Sequence, residues 1–389
     1  MKNRRNRTGI INGTASLISI ILGLLFGLLL LFIFNPSFAI TGFDNLMTTG
    51  IASSEKLAKV FYQSAPLLMT GLAVAFAFKT GLFNIGATGQ YTLGAFFALV
   101  GVVQFRLPWW MGLVLAMVGG ALLGSIPGIC KALFNVNEVI TSIMFNWIAL
   151  FVVNLSINNM PMMLANAWGA INKDRTAALT SGKFMAYNPN ATIPKAGLDQ
   201  LFGSNYINLG VVIAILIAVV IWVVMNRTTF GYELKACGYN RHASNYAGID
   251  AKRNIILSMT ISGALAGIGG GLYYLSGTAQ YTLVKSLLGM GFNGIPVALL
   301  ASSNPIGTIF SALFISYIQV GGDALQPEYS REIIDIIIAT IIYLSAFALL
   351  MRGWIGKLFI RNQTENINAE DDQPSEIEAK SVKKEETLK

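Results

Sequence analysis

The chain has 389 residues, of which 54% are hydrophobic and only 12% are charged. Soluble domains are about a quarter charged, so this composition indicates a protein that crosses a membrane several times. Two cysteines in different segments indicate no disulfide framework, a single histidine excludes a histidine-based metal or catalytic cluster, and we expect no cofactor.

Apolar segments predict an all-α transmembrane domain at 15–351, between an N-terminal tail at 1–14 and a polar, disordered tail at 352–389. About ten transmembrane helices are predicted, at 15–34, 65–79, 83–103, 109–130, 139–157, 207–225, 254–275, 286–302, 304–320 and 333–351. The first segment follows basic residues, as a signal peptide does, but it is long enough to span a bilayer. We therefore interpret it as a retained helix.

The distribution of Lys and Arg predicts the orientation of these helices. When the N-terminus lies in the cytoplasm, most of these residues fall on the inner side, so both termini are expected to be cytoplasmic. The outer side then receives a short amphipathic helix around Leu46–Phe61 and a long loop at 158–206. That loop is either a docking platform for an extracellular partner or a plain connector. The net charge of +8 fits orientation and contact with anionic headgroups better than nucleic-acid binding.

The stretch Gly81–Gly94, reading GLFNIGATGQYTLG, interrupts two apolar runs with glycines and polar side chains. Irregular backbone at membrane depth is tolerated only inside protein or against a water-filled cavity, so the stretch favours a broken helix start beside a solute path. The alternative is close helix packing through small residues. Two other helices have glycines at spacing four that predict such packing faces, namely Gly120, Gly124, Gly128, Gly263, Gly267 and Gly271.

Two carboxylates lie near predicted helix ends. Glu138 begins the fifth segment, where a capping role and a functional role are both open. Asp335 follows Arg331 by four residues, which predicts a structural ion pair. Neither belongs to a series of membrane carboxylates of the kind that couples transport to protons.

The longest inner loop, residues 226–253, is predicted to contain two short helices. The first covers Tyr232–Cys237 and is broken by Gly238, the second covers Arg241–Tyr246, and Gly248-Ile249 ends the unit. Such helices act either as a lever for a soluble partner or as interfacial helices on lipid headgroups. The chain has no G-x-x-x-x-G-K-[ST] loop for ATP, so we expect a subunit that another protein drives.

Four blocks resemble, in the right order, the permease subunits of bacterial ABC importers for nucleosides and simple sugars. They are GLFNIGATGQ at 81–90, NEVITSIMFN at 137–146, the loop at 230–249, and GFNGIPVALL at 291–300 with SNPIG at 303–307. The resemblance covers about residues 60–350 and is nearest to the larger of two paired permeases in nucleoside importers. One position departs from the pattern, because Thr88 stands where that family usually has Glu.

The resemblance implies a bacterial plasma-membrane protein that works with three partners: a second permease, an ABC ATPase with two nucleotide-binding domains and an extracellular substrate-binding lipoprotein. It implies that the inner loop couples to the ATPase, and the coupling residues are Phe230, Gly231, Glu233, Gly238, Arg241 and Gly248. A nucleoside needs a stacking surface and amides or hydroxyls. The substrate-pathway candidates of these types are Phe83, Asn84, Gln90, Asn146, Phe292 and Asn293.

Nucleoside import through an ABC permease is therefore the function that the sequence predicts. An ABC permease for a pentose or hexose is the second candidate, and competition between nucleosides and ribose would separate the two. A self-sufficient secondary carrier or channel is the third, and it would work alone in liposomes. A membrane enzyme ranks last, since no nucleophile, base or metal constellation is found in the sequence.

Overall fold

The computed structural model describes residues 2–346, with side chains described for residues 18–344. The α-helices are α1 Lys2–Phe34, α2 Ala39–Thr48, α3 Ser54–Lys79, α4 Ala87–Val103, α5 Trp109–Phe134, α6 Glu138–Asn158, α7 Gly182–Tyr187, α8 Leu198–Phe202, α9 Gly210–Arg227, α10 Thr229–Tyr239, α11 Arg241–Tyr246, α12 Ala251–Tyr274, α13 Gly289–Phe292, α14 Gly294–Leu300, α15 Gly307–Gly322 and α16 Arg331–Ala346. Extended pairing within 2–346 is limited to isolated bridges of Thr176 with Leu164 and of Arg175 with Thr282. The prediction of an all-α protein is confirmed.

Six helical stretches are long and apolar enough to cross a membrane, namely α3, α5, α6, α9, α12 and Gly307–Leu325. Shorter apolar helices are Ile18–Phe34, Ala87–Val103 and Gly289–Leu300. The multi-pass architecture is therefore confirmed, while the number of crossings stays a prediction. Helix α1 begins at Lys2, so helix extends through the predicted tail at 1–14. The predicted tail at 352–389 and the end of the last apolar segment lie outside the described residues.

Helices α3 and α12 form the centre of the bundle. In the most apolar 18-residue stretch of α3, 89% of the residues are buried, against 28% in the corresponding stretch of α9. Helix α12 packs most extensively against α5, and α3, α4, α5 and α12 form one hydrophobic core. The outer surfaces of α5, α6 and α9 expose large apolar side chains, as expected for faces that meet lipid or another membrane helix.

The glycine-rich faces of α5 and α12 pack backbone to backbone, as predicted. A Cβ added to Gly120 would lie 2.2 Å from the Gly263 carbonyl oxygen, and one on Gly263 would lie 2.3 Å from the Gly120 oxygen. Gly267 is enclosed from two sides, since a Cβ on Gly94 of α4 would lie 2.3 Å from its Cα. Only glycine permits this approach, which brings α4 and α5 together on α12.

One end of the bundle carries a cap, which we define as residues 159–209 and 275–288. The two parts of the cap are joined by the Thr176 N–H, which donates to the Tyr281 carbonyl at 2.9 Å, and by the Leu283 N–H, which donates to the Asp174 carbonyl at 2.7 Å. Burial raises the pKa of Tyr281 to about 12, so its hydroxyl stays protonated and donates to Asn154 of α6 at 3.1 Å. The loop at 158–206 is thus part of a folded cap that hydrogen bonds join to the bundle.

The predicted amphipathic helix at Leu46–Phe61 is wrong. Helix α2 ends at Thr48, a 3-10 turn covers Thr49–Ile51, and α3 begins at Ser54. The Ser53 side chain caps α3 by accepting a hydrogen bond from the Lys56 N–H at 3.2 Å. The first turns of α3 are polar, so composition alone does not show that they continue into the buried, apolar part of the same helix.

Two local predictions are also corrected, and the surroundings of Glu138 are defined. Gly238 does not end the first short helix, because α10 continues to Tyr239 and the chain breaks at Asn240. Arg331 and Asp335 are not among the ion pairs of the described side chains, and Asp335 is exposed. The side chain that caps α6 belongs to Asn137, while Glu138 pairs with Lys131 of α5 at 2.9 Å.

Candidate functional site

The chain turns sharply between α3 and α4, from the exposed Gly81 into the bundle, where Asn84 and Gly86 are buried. Gly81 has φ +72°, a left-handed conformation that favours glycine, and α4 begins only at Ala87. The Thr80 hydroxyl reaches the Ser258 hydroxyl of α12 and thereby anchors the end of α3. The predicted broken helix start is therefore present, and residues 80–86 form it.

An amide cluster secures this turn. The Asn84 Nδ2 donates to Gln90 Oε1 at 2.7 Å and to Ser262 Oγ at 2.6 Å, while Asn84 Oδ1 accepts from the Gly86 N–H at 3.0 Å and from Gln90 Nε2 at 3.1 Å. Ser262 in turn donates to the Ala73 carbonyl at 2.6 Å. The Asn84 side chain has no exposed surface, so its hydrogen bonds hold irregular backbone away from lipid.

Asn146 supports the same turn from α6. Its Oδ1 accepts from the Gly89 N–H at 2.8 Å, and its Nδ2 donates to the Ile85 carbonyl at 3.1 Å. The first N–H groups of a helix have no partner within the helix, and Asn146 provides one for α4. Three of the predicted pathway residues, Asn84, Gln90 and Asn146, are thus buried around one short segment of backbone.

A second helix break lies beside the first. Helices α13 and α14 meet at Asn293, and the preceding Gly291 lies so close to α4 that a Cβ on it would be 2.3 Å from the Thr88 Cα. The Thr70 hydroxyl of α3 is 3.3 Å from the Met290 carbonyl, which ties this break to the bundle centre. Phe292 and Asn293 are half-buried here.

Three buried hydroxyls near the two breaks have no hydrogen-bond partner within the described part of the chain: Thr88 Oγ1, Tyr91 Oη and Ser142 Oγ. An unpaired buried polar group costs about 1–3 kcal/mol. Ser142 lies next to the turn, since a Cβ on Gly86 would be 3.2 Å from its Cβ. These hydroxyls therefore carry unused hydrogen-bonding capacity that solvent does not reach in this conformation.

The sixth pathway candidate, Phe83, lies apart from the amide cluster. Its half-buried ring stacks on Phe78 with centroids 5.3 Å apart and planes 4° from parallel. Sequence reasoning missed Ser258, Ser262 and Tyr91. A signal was present for the two serines, because they lie at spacing four on the apolar helix α12 and so occupy one face.

At the end of the bundle opposite the cap, α10 and α11 form a two-helix unit. Thr228 caps α10 by accepting from the Gly231 N–H at 3.1 Å, and Asn240 caps α11 by accepting from the Ala243 N–H at 3.0 Å. A groove of about 520 Å³ runs between the two helices. It is flanked by exposed aromatic rings, of which Tyr239 is 91% exposed.

The predicted coupling residues occupy this unit in different ways. Gly231 packs against α9, where a Cβ would lie 2.2 Å from the Val224 carbonyl oxygen. Glu233 lines the groove and accepts from the Asn254 Nδ2 of α12 at 3.4 Å. Phe230 and Arg241 are half-buried, and Gly248 ends the unit with φ +79°.

Gly238 connects the two-helix unit to the broken start of α4. A Cβ on Gly238 would lie 2.8 Å from the Thr80 carbonyl carbon, and a Cβ on Gly81 would lie 2.9 Å from the Gly238 Cα. The exposed unit therefore rests directly on the turn that Asn84 and Asn146 hold.

Membrane-spanning helices that surround two adjacent helix breaks with polar side chains are a feature of solute permeases. The family described as "Branched-chain amino acid transport system / permease component" matches residues 56–346, and the chain belongs to it. No solved structure matches the chain significantly.

The chain is also similar to three ABC transporter permeases whose names give a solute. The guanosine ABC transporter permease protein NupP of Bacillus subtilis is 38% identical over 88% of this chain and 95% of its own length. The nucleoside ABC transporter permease protein NupB of Lactococcus lactis is 34% identical over 88% and 92%. The glucose ABC transporter permease protein TsgB13 of Haloferax volcanii is 29% identical over 75% and 76%. The chain is a permease subunit of an ABC transporter, a transport component and not an enzyme.

Proposed function

We propose that this chain is the larger permease subunit of a nucleoside importer, and that an ATPase moves the broken start of α4 through the two-helix unit. The observation that carries the proposal is the backbone contact between Gly238 and the turn at Thr80–Gly81. At this contact no flexible side chain lies between the two backbones, so nothing there can take up a displacement of α10. It acts directly on the backbone that the amide cluster holds.

The relatives support nucleosides as the solute. NupP and NupB, named for guanosine and nucleosides, align with nearly the whole chain, while the glucose permease aligns with less of it at lower identity. The half-buried Phe292 ring, the Asn293 amide and the unpaired hydroxyls at the breaks offer the stacking surface and hydrogen bonds that a base and a ribose need.

The pathway lies at the two breaks. In this proposal Phe292 and Asn293, which are half-buried, meet the solute first, while Asn84, Gln90 and Asn146 close the pathway by bonding to each other and to backbone. Movement of the turn at residues 80–86 exposes Phe83 and frees these amides for solute. Thr88 contributes an uncharged hydroxyl where a carboxylate would stand in the family pattern.

The topology has ten crossings with both termini in the cytoplasm. Six long helical stretches, three shorter apolar ones and α16 supply the crossings, and the Lys and Arg distribution sets the direction. The two-helix unit is then cytoplasmic and meets the ATPase with its two nucleotide-binding domains. The cap is extracellular and meets the substrate-binding lipoprotein, and a second permease covers part of the exposed apolar faces.

Reconstitution of the complete transporter tests the function. Proteoliposomes that contain this chain, its second permease, the ATPase and the lipoprotein are expected to take up radiolabelled guanosine when ATP is supplied. Uridine should compete and ribose should not. Competition by ribose alone would reassign the solute to a sugar, and uptake by the purified chain under an ion gradient without companions would reject the ABC mechanism.

A further inference from the structure

A cavity of about 680 Å³ opens in the cap, which is large enough for a nucleoside. Its lining is mostly polar and comes from the start of α3 and from both parts of the cap; the residues that matter most are Glu55, Lys195, Asn205, Tyr206 and Ser276. None of the predicted pathway residues lies in it.

Several polar groups of this cavity are hydrogen-bonded, while Glu55 is exposed. The Lys195 Nζ donates to Asn205 Oδ1 at 2.7 Å, which joins these two side chains on one wall. On the floor, the buried Ser276 hydroxyl donates to the Tyr273 carbonyl at 2.6 Å and also receives the Thr278 N–H at 3.2 Å. A carboxylate, an ammonium and an amide therefore line one cavity, which is open to solvent.

Beneath the cavity a row of tyrosines leads toward the broken start of α4. Ring centroids are 6.2 Å apart between Tyr206 and Tyr62, 5.3 Å between Tyr62 and Tyr273, 5.0 Å between Tyr273 and Tyr274, and 6.4 Å between Tyr274 and Tyr91. The first residue of the row lines the cavity, and the last follows Gln90 of the amide cluster. Aromatic rings are the surfaces on which nucleobases stack.

We propose that this cavity is a receiving site for the nucleoside, which stacks its base on Tyr206, the outermost ring of the tyrosine row. Lys195 and Asn205 bind polar edges of the base, and Glu55 accepts hydrogen bonds from ribose hydroxyls. The site deepens the proposed function and rests on it, since a sugar has no base to stack. In this proposal the cap binds solute in addition to its contact with a partner protein.

Photolabelling of the complete transporter tests the site. With 8-azidoguanosine as probe, we expect an adduct on the cap segment that contains Tyr206, and unlabelled guanosine should suppress it. Tyr206→Leu should reduce the labelling about tenfold, the loss that ~1.4 kcal/mol of base stacking gives. Tyr206→Phe should keep it, because the ring remains.

Two further variants distinguish loss of the site from a folding defect. Asn205→Leu changes an exposed residue of the cavity wall and should also reduce labelling, while Leu201→Ala, an exposed residue outside the cavity, should not. Each variant is compared at equal membrane amounts and for equal retention of the lipoprotein. Loss of lipoprotein binding in Tyr206→Leu would overturn the solute site.

The outcomes separate this site from the proposed function. Guanosine uptake by the wild-type transporter with labelling only on the lipoprotein, or with cap labelling that Tyr206→Leu leaves unchanged, overturns the receiving site and leaves nucleoside import standing. A wild-type transporter that does not move nucleosides overturns both.

Discussion

Gly238 of α10 lies directly against Gly81, the residue that turns the chain between α3 and α4. The two glycines belong to segments far apart in the sequence, and each leaves room for the backbone of the other. The exposed two-helix unit and the buried amide cluster therefore share one rigid joint. We expect this joint to transmit movement in a transporter whose driving reaction takes place on another chain.

Gly238→Ala tests the joint. The added Cβ would lie within 3 Å of backbone atoms of Lys79, Thr80 and Gly81, none of which can give way as a side chain would. We expect ATP-driven uptake to fall about tenfold while ATP hydrolysis by the complex continues, a loss of ~1.4 kcal/mol in coupling. Gly182→Ala is the control, because a Cβ there meets nothing within 4 Å. Uptake at the wild-type rate in Gly238→Ala would remove the joint from the mechanism.

Charge reversal in the two-helix unit tests its role as the contact of the ATPase. Glu233→Lys and Arg241→Glu should each lower the ratio of uptake to ATP hydrolysis about fivefold or more, which is the lower end of the usual range of coupling between sites. Lys252→Glu is the matched control, an exposed reversal on the first turn of α12 outside the groove. Uptake and hydrolysis are measured on the same proteoliposomes, and normal coupling in both variants would favour an interfacial role on headgroups.

Asn84→Leu and Asn293→Leu should both block transport, for different reasons. Asn84 makes four hydrogen bonds in a fully buried site, so its loss leaves the Gly86 N–H and the Gln90 amide without partners at about 1–3 kcal/mol each, while Ser262 keeps its bond to the Ala73 carbonyl. We expect a clear fall in the melting temperature of the purified complex. Asn293 is half-buried at the second break, so Asn293→Leu should assemble with normal stability and fail only in uptake. Normal uptake by a stable Asn293→Leu transporter would exclude that residue from the pathway.

Thr88→Val separates stability from transport at the position that departs from the family pattern. The Thr88 hydroxyl is buried and has no partner among the described residues, so replacement by a methyl group of similar shape should be neutral or slightly stabilising. If the hydroxyl meets the solute, uptake should still fall about fivefold, as for one lost hydrogen bond of ~1 kcal/mol. Thermal melting and initial uptake rates are compared side by side. A variant with unchanged uptake would assign Thr88 to packing alone.

Gly263→Ala tests the packing of α5 on α12. Its Cβ would lie 2.3 Å from the Gly120 carbonyl oxygen, a backbone atom, so the helices must separate. We expect destabilisation of about 1–3 kcal/mol and less protein in the membrane. Gly101→Ala is the control, because its nearest neighbour at 2.6 Å is the end of the Leu115 side chain, which can rotate away. Equal expression and melting of the two variants would contradict the close approach.

Composition and local pattern determined the class and much of the architecture. Long apolar runs with few charges require helices that satisfy their own backbone in lipid, so the all-α bundle followed from the sequence. Glycines at spacing four predicted the faces of α5 and α12, because close approach depends on residue size alone. The same reasoning located the break at Gly81, since glycines and amides clustered within apolar runs disfavour a continuous helix that faces lipid.

The roles of the polar residues were decided only by the tertiary structure. Asn84, Gln90 and Asn146 were predicted as pathway residues by type, yet in the fold they bind each other and the turn that they support. Ser262, which completes that cluster, lies far from it in sequence. Gly238 was predicted to break a helix, whereas the fold uses it for contact with Gly81. Hydrogen bonds and backbone contacts between distant segments depend on how helices pack, and a single sequence records only residue types along one chain.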